Sequence, residues 1–164
     1  MIASTTVISD TGPLSYLHRL GRLEILRQFY GRVIVPPAVV AEINLGIRLG
    51  RDLPDIATLP WIELRAPSAN ALKGIEGLGS GETEGIALAR TTQNALLLLD
   101  DGQARRIATA LGLRISGTIG VLLVAKERGV IEYLRPELDR LEGFGFRLAA
   151  PIRLTVLQKA GEAE

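Results

Sequence analysis

Residues 77–105 read GLGSGETEGIALARTTQNALLLLDDGQAR, and the fold follows from how this stretch is parsed. A glycine-rich turn leads into a short helix carrying Glu82 and Glu84. Five apolar residues, Ala95 to Leu99, follow, and then two adjacent carboxylates, Asp100 and Asp101. An unbroken apolar run of this length between polar flanks reads as a strand buried on both faces, the pattern of parallel sheets. Ligands of open α/β sheets bind outside the carboxyl ends of the strands, so the acid pair stands at the rim of such a crevice. A carboxylate site for a divalent metal is the expectation.

Outward from there, the same placement recurs. Thr5 to Ser9 is a β-branched run ending at Asp10, and Thr11-Gly12-Pro13 turns the chain into a helix with Leu14, Leu17 and Leu20 on one face. Taken alone, Asp10 reads as a helix N-cap. A second short helix lies between Gly21 and Gly31, and Val33 to Val35 is the next strand. Pro36 and Pro37 open a helix whose stripe is Val39, Val40, Ile43 and Ile47, with Glu42 on its margin. From Leu45 to Lys73 the periodicity weakens, prolines punctuate the chain, and only Trp61 to Leu64 reads as a strand.

Helix geometry separates the two glutamates of the opening stretch. Glu82 shares a face with Ile86 and Ala89, the inward side, and Glu84 points toward solvent. The glycines before them match neither the dinucleotide nor the P-loop fingerprint: no strand directly precedes them and no Gly-Lys-Ser/Thr follows. After Asp101 a helix carries Arg105 and Arg106 in its first turns. Leu113 to Ile115 is a short strand, and Ser116 and Thr118 repeat the strand-to-helix position with hydroxyls. Ile119 to Lys126, Ile131 to Glu142 and Pro151 to Lys159 complete the helices. His18, the single histidine, has no histidine partner for metal and is assigned to packing or surface.

The 164 residues suit one domain, and 47% hydrophobic content with a mean hydropathy of +0.24 excludes a disordered chain. No cysteine is present, which excludes disulfides, thiolate catalysis and Cys-ligated metals. No run approaches the roughly 18 apolar residues of a membrane span, and the first ten residues lack a secretory signal, so a cytoplasmic, membrane-free protein is expected. Net charge is +1, without the broad basic field of many nucleic-acid binders. Only Lys73, Lys126 and Lys159 are lysines; the other cations are arginines, the side chain suited to bidentate phosphate contacts.

Asp10, Glu42, Glu82 and Asp100 or Asp101 all fall at strand ends or on helices bordering them. Four like charges in one crevice would raise each other's pKa unless a cation neutralised them. Oxygen ligands without His or Cys suit Mg²⁺ or Mn²⁺, ions that promote phosphodiester hydrolysis.

Five segments in this order, VISDTGPLSYL (7–17), VPPAVVAEI (35–43), GLGSGETEGIALA (77–89), LLLDDGQARRIA (97–108) and LRISGTIGVLLVAKERGVI (113–131), resemble a PIN-domain protein, the fold of VapC-like toxin ribonucleases. The resemblance implies a three-layer α/β/α sandwich with a central, mainly parallel sheet, in one PIN-like domain over 1–164 with residues 145–164 as a C-terminal helical extension. It also implies a metal-dependent endoribonuclease acting on single-stranded RNA. Asp10, Glu42, Glu82 and the pair Asp100 and Asp101 match the family's acids and are the expected metal-binding and catalytic residues. Ser116 and Thr118 match site hydroxyls, and Arg105 is expected on the RNA backbone. A small antitoxin partner and a homodimer are further implications. Leu99 stands where relatives carry Thr or Ser, which leaves the choice between Asp100 and Asp101 open, and Glu82 replaces a more usual Asp.

Two other readings keep the same residues. An inactive PIN-fold binding module would fill the acidic pocket with a partner's arginine. A phosphoryl-transfer protein would use Asp10 as nucleophile, although Thr11-Gly12 break the D-x-D signature of one such class.

Overall fold

A computed structural model describes residues 4–162. Packing divides the chain into two compact units, one up to Gly117 and one from Thr118 onward. Each is described by itself.

The first unit is built on five short strands: β1 (Thr6–Ser9), β2 (Val33–Val35), β3 (Ile62–Leu64), β4 (Ala95–Leu98) and β5 (Arg114–Ser116). All are parallel, in the order β3-β2-β1-β4-β5. The helices between them are α1 (Thr11–Arg19), α2 (Glu24–Tyr30), α3 (Pro37–Arg48), α4 (Ser80–Arg90) and α5 (Gly102–Ala110). Because crossovers between parallel strands are right-handed, the connections running from β1 toward β3 and those running from β4 toward β5 cover opposite faces of the sheet. Three layers result. Under α4 and α5, Ile8, Ile34, Leu97 and Leu99 pack with Ile86, Ala87, Ala104 and Ala108 in one buried cluster. Val7, Val33 and Val35 alternate to the other face and are equally buried.

Strand identities follow from composition. β2 and β4 are central and read as continuous apolar runs, β1 between them sets Val7 and Ile8 between Thr6 and Ser9, and the rim strands β3 and β5 carry Glu63 and Arg114. The stripe of α3 is Val39, Ile43 and Gly46 rather than Val39, Val40, Ile43 and Ile47. Ile47 is exposed, and Gly46 is instead the residue turned inward, against the end of the Leu53 side chain. Between α3 and α4 the chain is loop apart from β3 and two single turns of 3₁₀ helix, Ile56–Thr58 and Asn70–Leu72.

The second unit contains α6 (Thr118–Glu127), α7 (Arg135–Gly143) and α8 (Ala150–Lys159). The helix predicted from Ile131 begins only at Arg135, where Pro136 occupies the first turn, a position in which its missing N–H costs nothing. Glu162 closes this unit from the far end. Its carboxylate accepts hydrogen bonds from the Leu134 and Arg135 amides at 2.6 and 3.1 Å and from Lys126 Nζ at 3.1 Å. Among the described residues no helix is long and apolar enough to cross a membrane.

Candidate metal centre at the ends of β1 and β4

The strand order reverses between β1 and β4, and the crevice of an α/β sheet opens at such a point. Asp10 and Asp100 lie one and two residues beyond those strands. The sheet ladder continues past both ends. Asp10 N donates to Leu98 O at 3.0 Å and Leu99 N to Ser116 O at 2.8 Å, so the backbone delivers each acid to a fixed place.

Asp10 is only 7% exposed, and its Oδ1 is buried with no hydrogen-bond partner. It occupies the N-cap position of α1 but makes no side-chain capping bond, so the cap reading does not account for it. Burial pushes its carboxyl up to about 7, and the charges of Glu82, Glu42 and Asp100 push the same way against the Thr11 amide. A buried oxygen without a donor is costly.

Glu42 comes from the second turn of α3. Its Oε2 accepts from Thr11 Oγ1 at 2.6 Å and its Oε1 from Gly81 N at 3.2 Å, which ties it to the first turns of both α1 and α4. A Cβ placed on Gly81 would sit 2.8 Å from Glu42 Oε1 and 3.1 Å from Asp10 Oδ1, so both oxygens crowd the same point. Two other glycines behave alike. A Cβ on Gly12 would lie 3.1 Å from Asp100 Oδ2, and one on Gly117 would lie 2.6 Å from Asp100 Oδ1. Three turns therefore close around the carboxylates because none carries a side chain at the point of approach.

The structure separates Asp100 from Asp101. Asp101 is exposed and caps α5, accepting from Ala104 N at 2.9 Å, whereas Asp100 is packed between Gly12 and Gly117 and bears on Asp10. Glu82 is half-buried at the start of α4, where its Oε2 receives the Gly79 amide at 3.3 Å. Burial raises its pKa, Asp101 and Glu42 raise it further, and the Gly79 bond opposes them.

Some expected roles change. Glu84 does not face solvent: its Oε1 accepts from Ala38 N at 2.9 Å and satisfies an amide in the first turn of α3. Arg105 donates from Nη1 to Leu99 O at 2.7 Å, so part of its guanidinium is committed to the end of β4. Ser116 is half-buried at the end of β5, and Thr118, buried, opens the second unit. His18 pairs with Asp52 at 2.9 Å, consistent with a surface role. Sequence reasoning overlooked Thr11 and the three glycines, although the glycines were visible in each turn preceding or opening a helix.

Among the described residues no three acidic or histidine side chains already stand in liganding geometry. The donor set still suits a hard dication. It is all oxygen, Asp10 Oδ1 lacks a donor, and Glu42 Oε1 meets it across Gly81.

A family model described as DUF3368, PIN domain, matches residues 6–162. Among solved structures, a PilT N-terminus domain protein from the hyperthermophilic archaeon Sulfolobus solfataricus P2 is 21% identical, with a TM-score of 0.48 over 74% of this chain and 92% of that one. No curated protein matches the chain. PIN domains are generally nucleases and usually use divalent metals. With the family match running through both units, from β1 to the end of α8, the chain belongs to the PIN-domain family.

Proposed function

We propose that this protein is a Mg²⁺- or Mn²⁺-dependent endoribonuclease that hydrolyses phosphodiester bonds in single-stranded RNA. The observation that carries the reading is Asp10 Oδ1, buried and unpartnered where Glu42, Glu82 and Asp100 all raise the cost of its charge. A structural carboxylate in that position would have been given a donor.

Asp10, Glu42 and Asp100 would hold the ion, with Glu82 beside them. A bound dication would offset the crowded charge, polarise a phosphoryl oxygen and lower the pKa of an attacking water. The chain's own groups orient the acids. Thr11 Oγ1 and the Gly81 amide fix the two oxygens of Glu42, and the Ala104 amide holds Asp101 away from Asp10 as a cap. Near neutrality Asp10 retains a proton for part of the time, so ion binding would release it and affinity would rise with pH through about 7. Arg105, anchored at Leu99 O, presents its remaining donors to the RNA backbone.

Titration of Mn²⁺ into the wild type and Asp10→Asn, read by melting temperature and by cleavage of single-stranded RNA, tests the reading. The wild type should gain about 2–3 kcal/mol at a hundredfold excess over Kd and cleave RNA, and Asp10→Asn should do neither while remaining folded. Cleavage that survives Asp10→Asn or chelation, or a wild type whose melting ignores Mn²⁺, would overturn it.

A further inference from the structure

Beside Arg105, α5 and β5 line a groove of about 530 Å³, broadly open to solvent, formed by Gly102, Arg105, Arg106, Thr109, Ala110 and Ile115. Its lining combines the aliphatic side chains of Ala110 and Ile115 with the guanidiniums of Arg105 and Arg106. Arg106 is exposed and, among the described residues, its side chain makes no hydrogen bond or ion pair. It curls back along the helix until Nη1 lies 3.6 Å from the place a Cβ would take on Gly102. Arg105 joins the groove to the acids: its Nη1 and Asp100 Oδ1 flank one point, 3.1 and 2.6 Å from a Cβ placed on Gly117.

We propose that this groove binds one unstacked nucleotide of the RNA, next to the phosphate being cleaved, with the base against Ala110 and Ile115 and the adjoining phosphate on Arg106. The assignment rests on the ribonuclease reading. Single-stranded RNA offers bases that stack on guanidinium planes and apolar side chains, beside a phosphate that an uncommitted arginine can take bidentately. Aliphatic side chains beside two guanidiniums suit that combination. A divalent cation is excluded from it by charge.

Binding is measured by anisotropy of a labelled single-stranded RNA decamer without divalent ions, in an Asp10→Asn background that cannot cleave. Adding Arg106→Ala should weaken binding about tenfold, the scale of one lost charge-assisted phosphate contact, and should lower the slope of log affinity against log salt by about 0.7. Ala110→Leu, which crowds the groove while keeping its charge and offers no aromatic face for a base, should weaken binding severalfold. Arg48→Ala, a control at the exposed last turn of α3, should change it less than twofold. Equal affinities for the Arg106 and Ala110 variants and their parent, an equal loss in the Arg48 control, or a parent that binds no RNA would each overturn the groove assignment. Cleavage by the wild type is scored separately. A groove-dependent affinity without cleavage would retain the groove and sink the ribonuclease reading, and cleavage with unaltered affinities would do the reverse.

Discussion

Two carboxylates, Asp10 in the first unit and Glu162 in the second, are both largely buried and end up in opposite electrostatic states. For Glu162 burial raises the pKa, but the Leu134 and Arg135 amides and Lys126 outweigh it, and the group sits below the usual range. For Asp10 burial raises the pKa, neighbouring acids reinforce it, and one oxygen has no donor, so the group sits at about 7. The chain has the means to satisfy a buried acid and uses them at Glu162. At Asp10 it supplies more acids instead. A satisfied carboxylate is part of the scaffold; one surrounded by its own kind is a place for an ion from outside.

The comparison breaks most visibly at Glu162. Glu162→Ala strands two amides and Lys126 and should cost about 3–5 kcal/mol in urea unfolding. Glu162→Gln should recover part of that, and an alanine variant as stable as wild type would remove the contrast. Because the folded pKa of Glu162 is lowered, its contribution is present above about 4.5 and is lost as pH falls through the folded value.

Asp10 should behave with the opposite sign. Its pKa is raised from 3.8 to about 7, so without metal the folded state is favoured below 3.8 and loses stability as pH climbs from there through about 7. Asp10→Asn, which cannot ionise, should therefore be more stable than metal-free wild type at pH 8, by roughly 2 kcal/mol after allowing for imperfect replacement. The gap should close near pH 4, and Mn²⁺ should reverse it. Equal melting of the two proteins at pH 8 in chelator would count against the orphaned oxygen.

The smallest effect sharpens the site itself. Gly81→Ala puts a methyl group against Glu42 Oε1 and Asp10 Oδ1 and should cost about 1–2 kcal/mol of metal-free stability. Its Mn²⁺-induced rise in melting temperature should shrink as well, because the two oxygens are pushed apart. A full rise would show that the spacing across Gly81 does not matter.

Much of this geometry was written locally in the chain. Ala95 to Leu99 is too apolar for anything but a central strand, and β-branched Thr5 to Ser9 pairs with it, so Asp10 and Asp100 had to emerge at one edge once the strands lay parallel. Glu42 and Glu82 were legible from helical phase. What could not be read depends on partners distant in sequence. The Glu84 bond to Ala38 spans forty-six residues, and phase alone assigned that side chain to water. Arg105 found a carbonyl at the end of β4 that no pattern announces. Asp100 and Asp101 are chemically equal neighbours, and only the direction of the turn after β4 made one a cap and pressed the other between two glycines. On α3, the buried stripe takes in a single small residue, Gly46, and leaves Ile47 exposed.

The sheet ends on both sides in strands of only three residues, β3 and β5. Rims this short give a foreign strand few amides and carbonyls to zip onto, which guards against edge-to-edge assembly. Any protein that recognises the first unit would have to grip its side chains and helix surfaces, since there is too little open border for it to join as a sixth strand.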